Sequence, residues 1–578
     1  MITENEFRLG CSCPVKVVHS RSGLARADTD DAFSALMRGE NAKVQALAQA
    51  LFPDAVPIRD ATADAWKKTQ AALSAGGIVM GAVLTGKSAQ CRADFIEMEG
   101  LVVRIYTIVP KATDLERHRF GLEFAHHSGQ VRREWREHFE RIAFRISVAQ
   151  ELFPEHQIVP LIITPITRVP CAVEGMHKHF PEENGRLKIG NPLTGGEAFR
   201  LLRTVCVEKE LAPMVSRVAS RIELLDSLLA SVPKPDLGYH CKKCEFRVPG
   251  KESGYDRCWG PLAHVEPHMF DLAYMYFVQD ENGAPVANRL AREGRVNMHD
   301  IPDALIKGDY AGRQRMQIEG TTTGREIIRS ELADSMATVE YPLHFLDIET
   351  IRSLVPVHRG SQVNELTLFQ LSVHSRTTPD GELVHREWLN TAPSNPNRRF
   401  LAALRQAIGD QGTVCVWTRY EEMSFRELIA ELVACGVDGE DFDWLRNFLV
   451  SDRLLDLNAL CFEHYFHPLM RGRTSIKSVL PAVWSVDSPL KMMAPYRRFP
   501  AEPYSHLKSV GAVADGCAAM EAYLELQGQD FHPTAAEQLL KYCEVDTIAM
   551  AYVWDYWTWR LGQQTCGLSV HLTKGGVQ

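Results

Sequence analysis

The sequence contains no apolar run approaching the roughly 20 residues that a membrane-spanning helix requires, so no membrane helix and no membrane partner are expected. Its start, Met1-Ile-Thr-Glu-Asn-Glu-Phe-Arg8, carries early acids where a secretory leader would carry an apolar stretch, and a cytoplasmic location is the expectation. Positive charge is not in surplus. The formal charge of −9 gives no hint of nucleic-acid binding by itself. It does not exclude such binding either, because only a local groove must be positive, and carboxylates that hold cations also count toward the total. The chain shows no internal repeat and no low-complexity segment, which sets aside solenoids and disordered arrays.

What is present is the composition of an ordinary folded protein, 45% hydrophobic and 24% charged. At 578 residues the chain is too long for one hydrophobic core, and two or three domains are expected. Fourteen cysteines are scattered over that length, which argues against a disulfide framework and leaves thiols, metal ligands or core residues.

Three regions separate by pattern. Residues 1–265 have mixed α/β patterning and end in a Cys- and Gly-rich stretch. Residues 266–337 are polar and read as a helical connector. From 338 to about 565 the order becomes strand, strand, strand, helix, strand, helix. In this last region His344-Phe-Leu-Asp-Ile-Glu-Thr350 alternates as a strand does, and strands follow at 366–374 and 384–389 around the turn Thr378-Pro-Asp-Gly381. A helix is predicted over 398–408, a fourth strand over Thr413–Trp417, and a long helix over about 534–558. A three-stranded meander followed by alternating helices and strands is the layout of an RNase H-like fold.

Acidic residues fall at telling positions in that layout. Asp347 and Glu349 lie two apart on the first strand, so they share one face while Leu346 and Ile348 take the other. Two carboxylates side by side repel unless a cation lies between them, and hard oxygen ligands suit Mg²⁺ or Mn²⁺. Glu421 follows the fourth strand and opens a helix. Tyr542 and Asp546, four apart on the closing helix, share one helical face. Asp456, at the end of Leu454-Leu-Asp456, is a lesser candidate. Between it and the last helix runs a basic and aromatic stretch, Arg471, Arg473, Lys477, Lys491, Tyr496, Arg497 and Arg498, suited either to tracking and stacking on a nucleic acid or to an ordinary solvated loop.

The ordered set D-x-E, an acid after the fourth strand, and Y-x-x-x-D resembles the DEDDy branch of the DnaQ-type 3′–5′ exonucleases. The resemblance implies that Asp347, Glu349, Glu421 and Asp546 hold two divalent ions and that Tyr542 orients the attacking water. Glu421 departs from the pattern, which usually has Asp there. Tyr341-Pro-Leu-His-Phe-Leu-Asp-Ile-Glu-Thr350, Thr474-Ser-Ile-Lys-Ser-Val-Leu-Pro481 and Tyr542-Cys-Glu-Val-Asp-Thr-Ile-Ala-Met550 resemble an uncharacterised bacterial family across nearly the whole chain. In that family a RecB-like domain of PD-(D/E)xK restriction-endonuclease fold precedes a DEDD-type domain.

Cys241-x2-Cys244 and Cys258 give C-x2-C-x13-C, and Cys13 precedes Pro14 far upstream. A knuckle followed by a third cysteine marks a tetrathiolate site, and spacing alone does not choose between zinc and a [4Fe–4S] cluster. One distant N-terminal cysteine plus three near the end of the domain resembles the iron–sulphur staple of RecB-like nucleases, which implies the cluster. That fold also implies a strand Asp and an (Asp/Glu)-x-Lys on the next strand. Asp94 supplies the first and Lys111 the last, but Val109 stands at the acidic position and Arg145 where the pattern usually has Gln. The N-terminal domain is therefore expected to be degenerate, binding nucleic acid or serving as a scaffold. The functional expectation is a metal-dependent nuclease acting on DNA or RNA. Its alternative is a catalytically silent nucleic-acid-binding protein, or a component of a repair or defence complex with a protein partner.

Overall fold

Most strand-forming residues build two large sheets, of seven and five strands, and two further two-stranded sheets accompany them among the described residues. The computed structural model describes residues 1–27, 32–59, 64–183, 185–191, 193, 195–249, 252–499, 501–509, 513, 515–527 and 533–572. The chain is mixed α/β and divides into two units. One comprises Met1–Asp236, Lys243–Gly260 and Arg352–Glu365; the other comprises Leu237–Lys242, Pro261–Ile351 and Leu366–Gln578. The stretch 266–337, expected as a connector, is counted with the second unit. There it forms short 3₁₀ turns and the helices Val286–Arg292, Ala311–Thr323 and Glu331–Ala337, with Met269, Phe270, Leu272 and Met316 buried.

In the first unit the sheet strands are β1 (Ile2–Thr3), β2 (Val56–Pro57), β3 (Ile78–Thr85), β4 (Ala89–Glu99), β5 (Val102–Ile108), β6 (Gln157–Pro165) and β7 (Leu202–Cys206). They run β2-β3-β4-β5-β6-β7, with β1 parallel to the start of β4. β3, β4 and β5 form an antiparallel meander, and β6 joins β5 in parallel. That crossover is made by the helix Arg133–Leu152 (α2), which buries Phe139, Ile142 and Ala143 against Ala89, Cys91 and Ala93 of β4. The helix Glu4–Ser12 (α1) is held at its start by a capping box in which Thr3 and Glu6 satisfy each other's backbone amides.

In the second unit the strands are β8 (Leu343–Ile351), β9 (Thr367–Arg376), β10 (Val384–Leu389), β11 (Thr413–Val416) and β12 (Leu454–Asp456). They lie in the order β10-β9-β8-β11-β12, the first three antiparallel and the last two parallel to β8. The expected meander and its turn are therefore present. β11 can lie beside the start of β8 only because position 412 is glycine. Gly412 has φ +82°, and a Cβ there would stand 1.8 Å from the Pro342 carbonyl oxygen.

Helices cover both faces of this sheet. Leu346 and Ile348 of β8 pack with Phe400, Leu404, Phe425 and Leu445 on one side. On the other, Leu343 and Phe345 join Leu539, Val545 and Ile548 of the last helix, Pro533–Leu572. Burying a side chain such as Phe345 stabilises the fold by about 1.5–3 kcal/mol. The last helix is further pinned by polar bonds: Gln370 Nε2 donates to the Leu539 carbonyl at 2.7 Å, and Ser372 Oγ meets Thr547 Oγ1 at 3.0 Å. Among the described residues no helix is long and apolar enough to cross a membrane.

Candidate metal centre

The alternation that buries Leu346 and Ile348 on one face of β8 turns Asp347 and Glu349 to the other, beneath the last helix. On that helix, α7 (Pro533–Leu572), Tyr542 and Asp546 stand one turn apart and are 3% and 7% exposed. Asp347, Glu349 and Asp546 each offer a carboxylate oxygen, and these oxygens lie within 4.8 Å of one another. Three like charges this close, with little water, cannot all remain ionised without a counter-ion. Burial, then Asp546 and Glu349, push the Asp347 carboxyl well above its ordinary range. Burial and Asp546 do the same to Glu349, while Lys477 pulls the other way. Asp546 is also raised by burial, against the opposing pull of Lys477, Tyr504 and Tyr542.

The remaining acids arrive from the parallel strands. Glu421 is in the first turn of α3 (Tyr420–Ala434), directly after β11, and is 4% exposed. Its carboxylate is near enough to raise Asp347 and Glu349, though it is not part of the three-oxygen cluster. Its Oε2 is buried with no hydrogen-bond partner among the described residues, and burial pushes its carboxyl up to about 8. Asp456 ends β12 and caps α4 (Leu457–His464), accepting from the Ala459 amide at 2.9 Å, and its charge adds to the rise at Glu421. Carboxylates alone, with one oxygen left orphaned, are a hard donor set that fits Mg²⁺ or Mn²⁺.

Three further side chains complete the surroundings. Lys477, on α5 (Ile476–Ser485), donates from Nζ to the Tyr542 hydroxyl at 2.8 Å and lies 4.9 Å from that ring's centroid. Tyr504, on α6 (Pro503–Ser509), donates its hydroxyl to Asp546 Oδ1. Cys543 donates from Sγ to Asp347 Oδ2 at 3.2 Å. Lys477 was legible as a lesser candidate; Tyr504 and Cys543 carried no signal in the sequence, because each acts through a contact distant along the chain. The basic and aromatic stretch is divided by the fold. Tyr496 is 1% exposed and donates to Asp555 Oδ2 at 2.6 Å, so it is a core residue and not a stacking surface. Arg471 pairs with Glu266 and Arg498 with Glu544.

In the first unit the residues expected of a nuclease centre meet a cation already built into the protein. Arg145, on α2 and 6% exposed, donates to Asp94 Oδ2 at 2.7 Å, to Glu4 Oε2 at 2.7 Å and to Thr107 Oγ1 at 3.2 Å. The two carboxylates raise its pKa despite burial. Val109 is fully buried in the core, and Lys111 Nζ lies 5.3 Å from the centroid of the Trp135 ring. Asp94 is thus held by a guanidinium, and its donor set does not fit a divalent ion. Glu4 was not foreseen, since nothing in the sequence ties residue 4 to residue 145.

Cys13 separates α1 from the helix Pro14–Arg21, and Cys258 lies in the helix Gly254–Trp259 with its Sγ 3.2 Å from His19 Nε2. Burial pushes the Cys244 thiol up, and Cys13 lies close enough to add to that rise. Cys13, Cys244 and Cys258 do not all lie within 4.8 Å of one another. Cys241 falls in the segment counted with the second unit.

Among family models, that of a domain of unknown function, DUF2779, matches residues 344–475. The match begins at β8 and covers Asp347, Glu349, Glu421 and Asp456; it ends before Lys477, Tyr542 and Asp546. No curated protein and no solved structure matches the chain.

Proposed function

We propose that the second unit is a divalent-metal nuclease of the DEDDy 3′–5′ exonuclease type on an RNase H-like fold, acting on DNA or RNA. The observation that carries this reading is the cluster of Asp347, Glu349 and Asp546, drawn from the first strand and the last helix, with Tyr542 one turn before Asp546. The strand order, three antiparallel and two parallel with the acidic strand in the centre, supports the fold assignment.

Asp347, Glu349, Asp546 and the orphaned Glu421 oxygen are the ligands for Mg²⁺ or Mn²⁺. When bound, the ions supply acidification of the attacking water and charge relief for the leaving 3′ oxygen. The chain's own groups do the positioning. Lys477 donates to the Tyr542 oxygen, which leaves the tyrosine proton directed at Asp546 and a lone pair free to hold the water in line with phosphorus. Lys477 is solvent-exposed and presents its ammonium where a phosphate oxygen would enter. Water adds to phosphorus, the P–O3′ bond breaks, and the departing oxygen takes a proton.

The first unit is read as a degenerate PD-(D/E)xK-type domain, because Arg145 supplies internally the charge that an ion would bring. It serves strand binding or assembly. Cys13, Cys241, Cys244 and Cys258 are assigned to a [4Fe–4S] cluster. The resemblance of one distant N-terminal cysteine plus the C-x2-C-x13-C set to the iron–sulphur staple of RecB-like nucleases favours the cluster over zinc.

The test is cleavage of end-labelled single-stranded and duplex DNA and RNA with Mg²⁺ or Mn²⁺. Stepwise loss from the 3′ end that disappears in Asp347→Ala is the expected result. Intact substrates after incubation with folded, metal-loaded wild type would refute the enzyme reading and leave the silent binding protein in its place.

A further inference from the structure

The face of the sheet under α7 carries a second group of ligating side chains, one strand away from the carboxylates. His374 on β9 and His385 on β10 are direct partners in the antiparallel register, and their rings stack with centroids 4.4 Å apart at 20°. Among the described residues each ring makes its hydrogen bond through one nitrogen. His374 Nδ1 meets Thr547 Oγ1 at 2.8 Å, and His385 Nε2 meets Ser372 Oγ at 2.9 Å. Hydrogen-bonding one imidazole nitrogen to a neighbour is how proteins fix the tautomer and aim the other nitrogen at a metal. The second nitrogen of His385, Nδ1, lies 3.9 Å from Glu544 Oε1 on α7. One ligand atom from each of His374, His385 and Glu544 lies within 4.8 Å of the other two.

We propose that His374, His385 and Glu544 form a second metal site, for a borderline transition cation such as Zn²⁺, Co²⁺ or Ni²⁺, distinct from the hard-oxygen centre of Asp347 and Asp546. Two imidazoles and one carboxylate are the donor set these ions prefer, whereas Mg²⁺ and Ca²⁺ favour oxygen alone. Ligands on a tetrahedral ion with bonds of about 2.0–2.1 Å stand roughly 3.3 Å apart, so the present spacing closes by side-chain rotation without moving a strand. His374 is buried, which keeps it the neutral imidazole that ligation requires. The His385 and Glu544 side chains are 24% and 21% exposed and give the ion a way in. Arg498 lies at 2.6 Å on Glu544 Oε1 and supplies the compensating charge while no ion is bound. With its side chain 47% exposed, it is free to swing out as an ion enters.

The experiment is a Co²⁺ titration of the chelator-treated full chain, followed by visible d–d absorption, with Asp347→Ala, His385→Asn and Arg498→Ala beside the wild type. The expected result is an intense band, without the charge-transfer absorption of cysteine ligands, that survives Asp347→Ala and is lost in His385→Asn. Arg498→Ala, which removes the competing cation, tightens Co²⁺ binding. A band unchanged by His385→Asn, or abolished by Asp347→Ala alone, overturns the site. Failure of the nuclease assay above leaves this reading untouched. Should His385→Asn not fold, Arg498→Ala decides: tighter binding supports the site, and unchanged or weaker binding means that Arg498 and Glu544 are a permanent ion pair over a stacked histidine couple.

Discussion

Removing divalent ions should make the second unit sensitive to alkaline pH, and Glu421 gives that effect its size. A carboxyl held near 8 in the folded chain, against an ordinary 4.5, adds stability while it is protonated. That contribution is complete below pH 4.5 and is lost as the pH climbs through about 8. At about 1.4 kcal/mol per pH unit the difference amounts to about 5 kcal/mol. For a unit of this size each kcal/mol moves the melting temperature by roughly 2 °C, so the expected loss between pH 5 and pH 9 is on the order of 10 °C. The assay is thermal unfolding by circular dichroism in excess chelator across that range, comparing wild type with Glu421→Gln. The variant carries no titrating carboxyl at 421, and its melting temperature should fall less, the remaining slope coming from Asp347 and Glu349. Adding Mg²⁺ or Mn²⁺ at pH 9 should restore the wild type, and should still stabilise the variant through Asp347, Glu349 and Asp546. If chelated wild type is as stable at pH 9 as at pH 5, or if Glu421→Gln shows the same slope, the burial argument for this carboxylate is wrong.

Arg145→Met should cost about 3 kcal/mol, because it strands the half-buried Asp94 and Glu4 charges; unfolding measurements should show most of that loss recovered in the triple variant with Asp94→Asn and Glu4→Gln. Tyr542→Phe and Lys477→Met should each lower kcat by roughly 10²-fold or more while leaving Mn²⁺ affinity, followed by electron paramagnetic resonance, near that of the wild type; equal loss of metal binding would make them structural. Anaerobically purified protein should contain iron and acid-labile sulphide, and Cys244→Ala should lose both; zinc at one equivalent and no iron would replace the cluster with a single ion.

The sequence made the β8 acids legible because strand alternation is a local rule: two residues apart means one face, and Asp347 and Glu349 obey it. The turn at 378–381, the helix found at Asn397–Ile408 and the strand found at Thr413–Val416 were readable for the same reason. The last helix was found longer than its apolar pattern, Pro533–Leu572 against about 534–558, and Trp559 and Leu561 still pack against the core beyond the predicted end. What could not be read was pairing at a distance. The Arg145–Glu4 contact joins residues 141 apart, the Tyr504–Asp546 bond 42 and the His374–Thr547 bond 173. No periodicity records such partners, because three-dimensional packing alone chooses them. Tyr496 shows the converse: beside Arg497 and Arg498 it looked like a surface aromatic, yet its neighbours in space are Tyr552 and Asp555.

The carboxylate cluster also has an order of appearance. Asp347 and Glu349 leave the ribosome nearly two hundred residues ahead of Asp546, and until α7 is made the chain lacks the third carboxylate of the close cluster, with Glu421 alone facing the strand pair. A nascent or prematurely terminated chain that has already built most of its sheet is therefore unable to assemble the centre. The last helix acts as a completion check, withholding the ion site until the β8–β12 sheet has a finished helix to lie beneath.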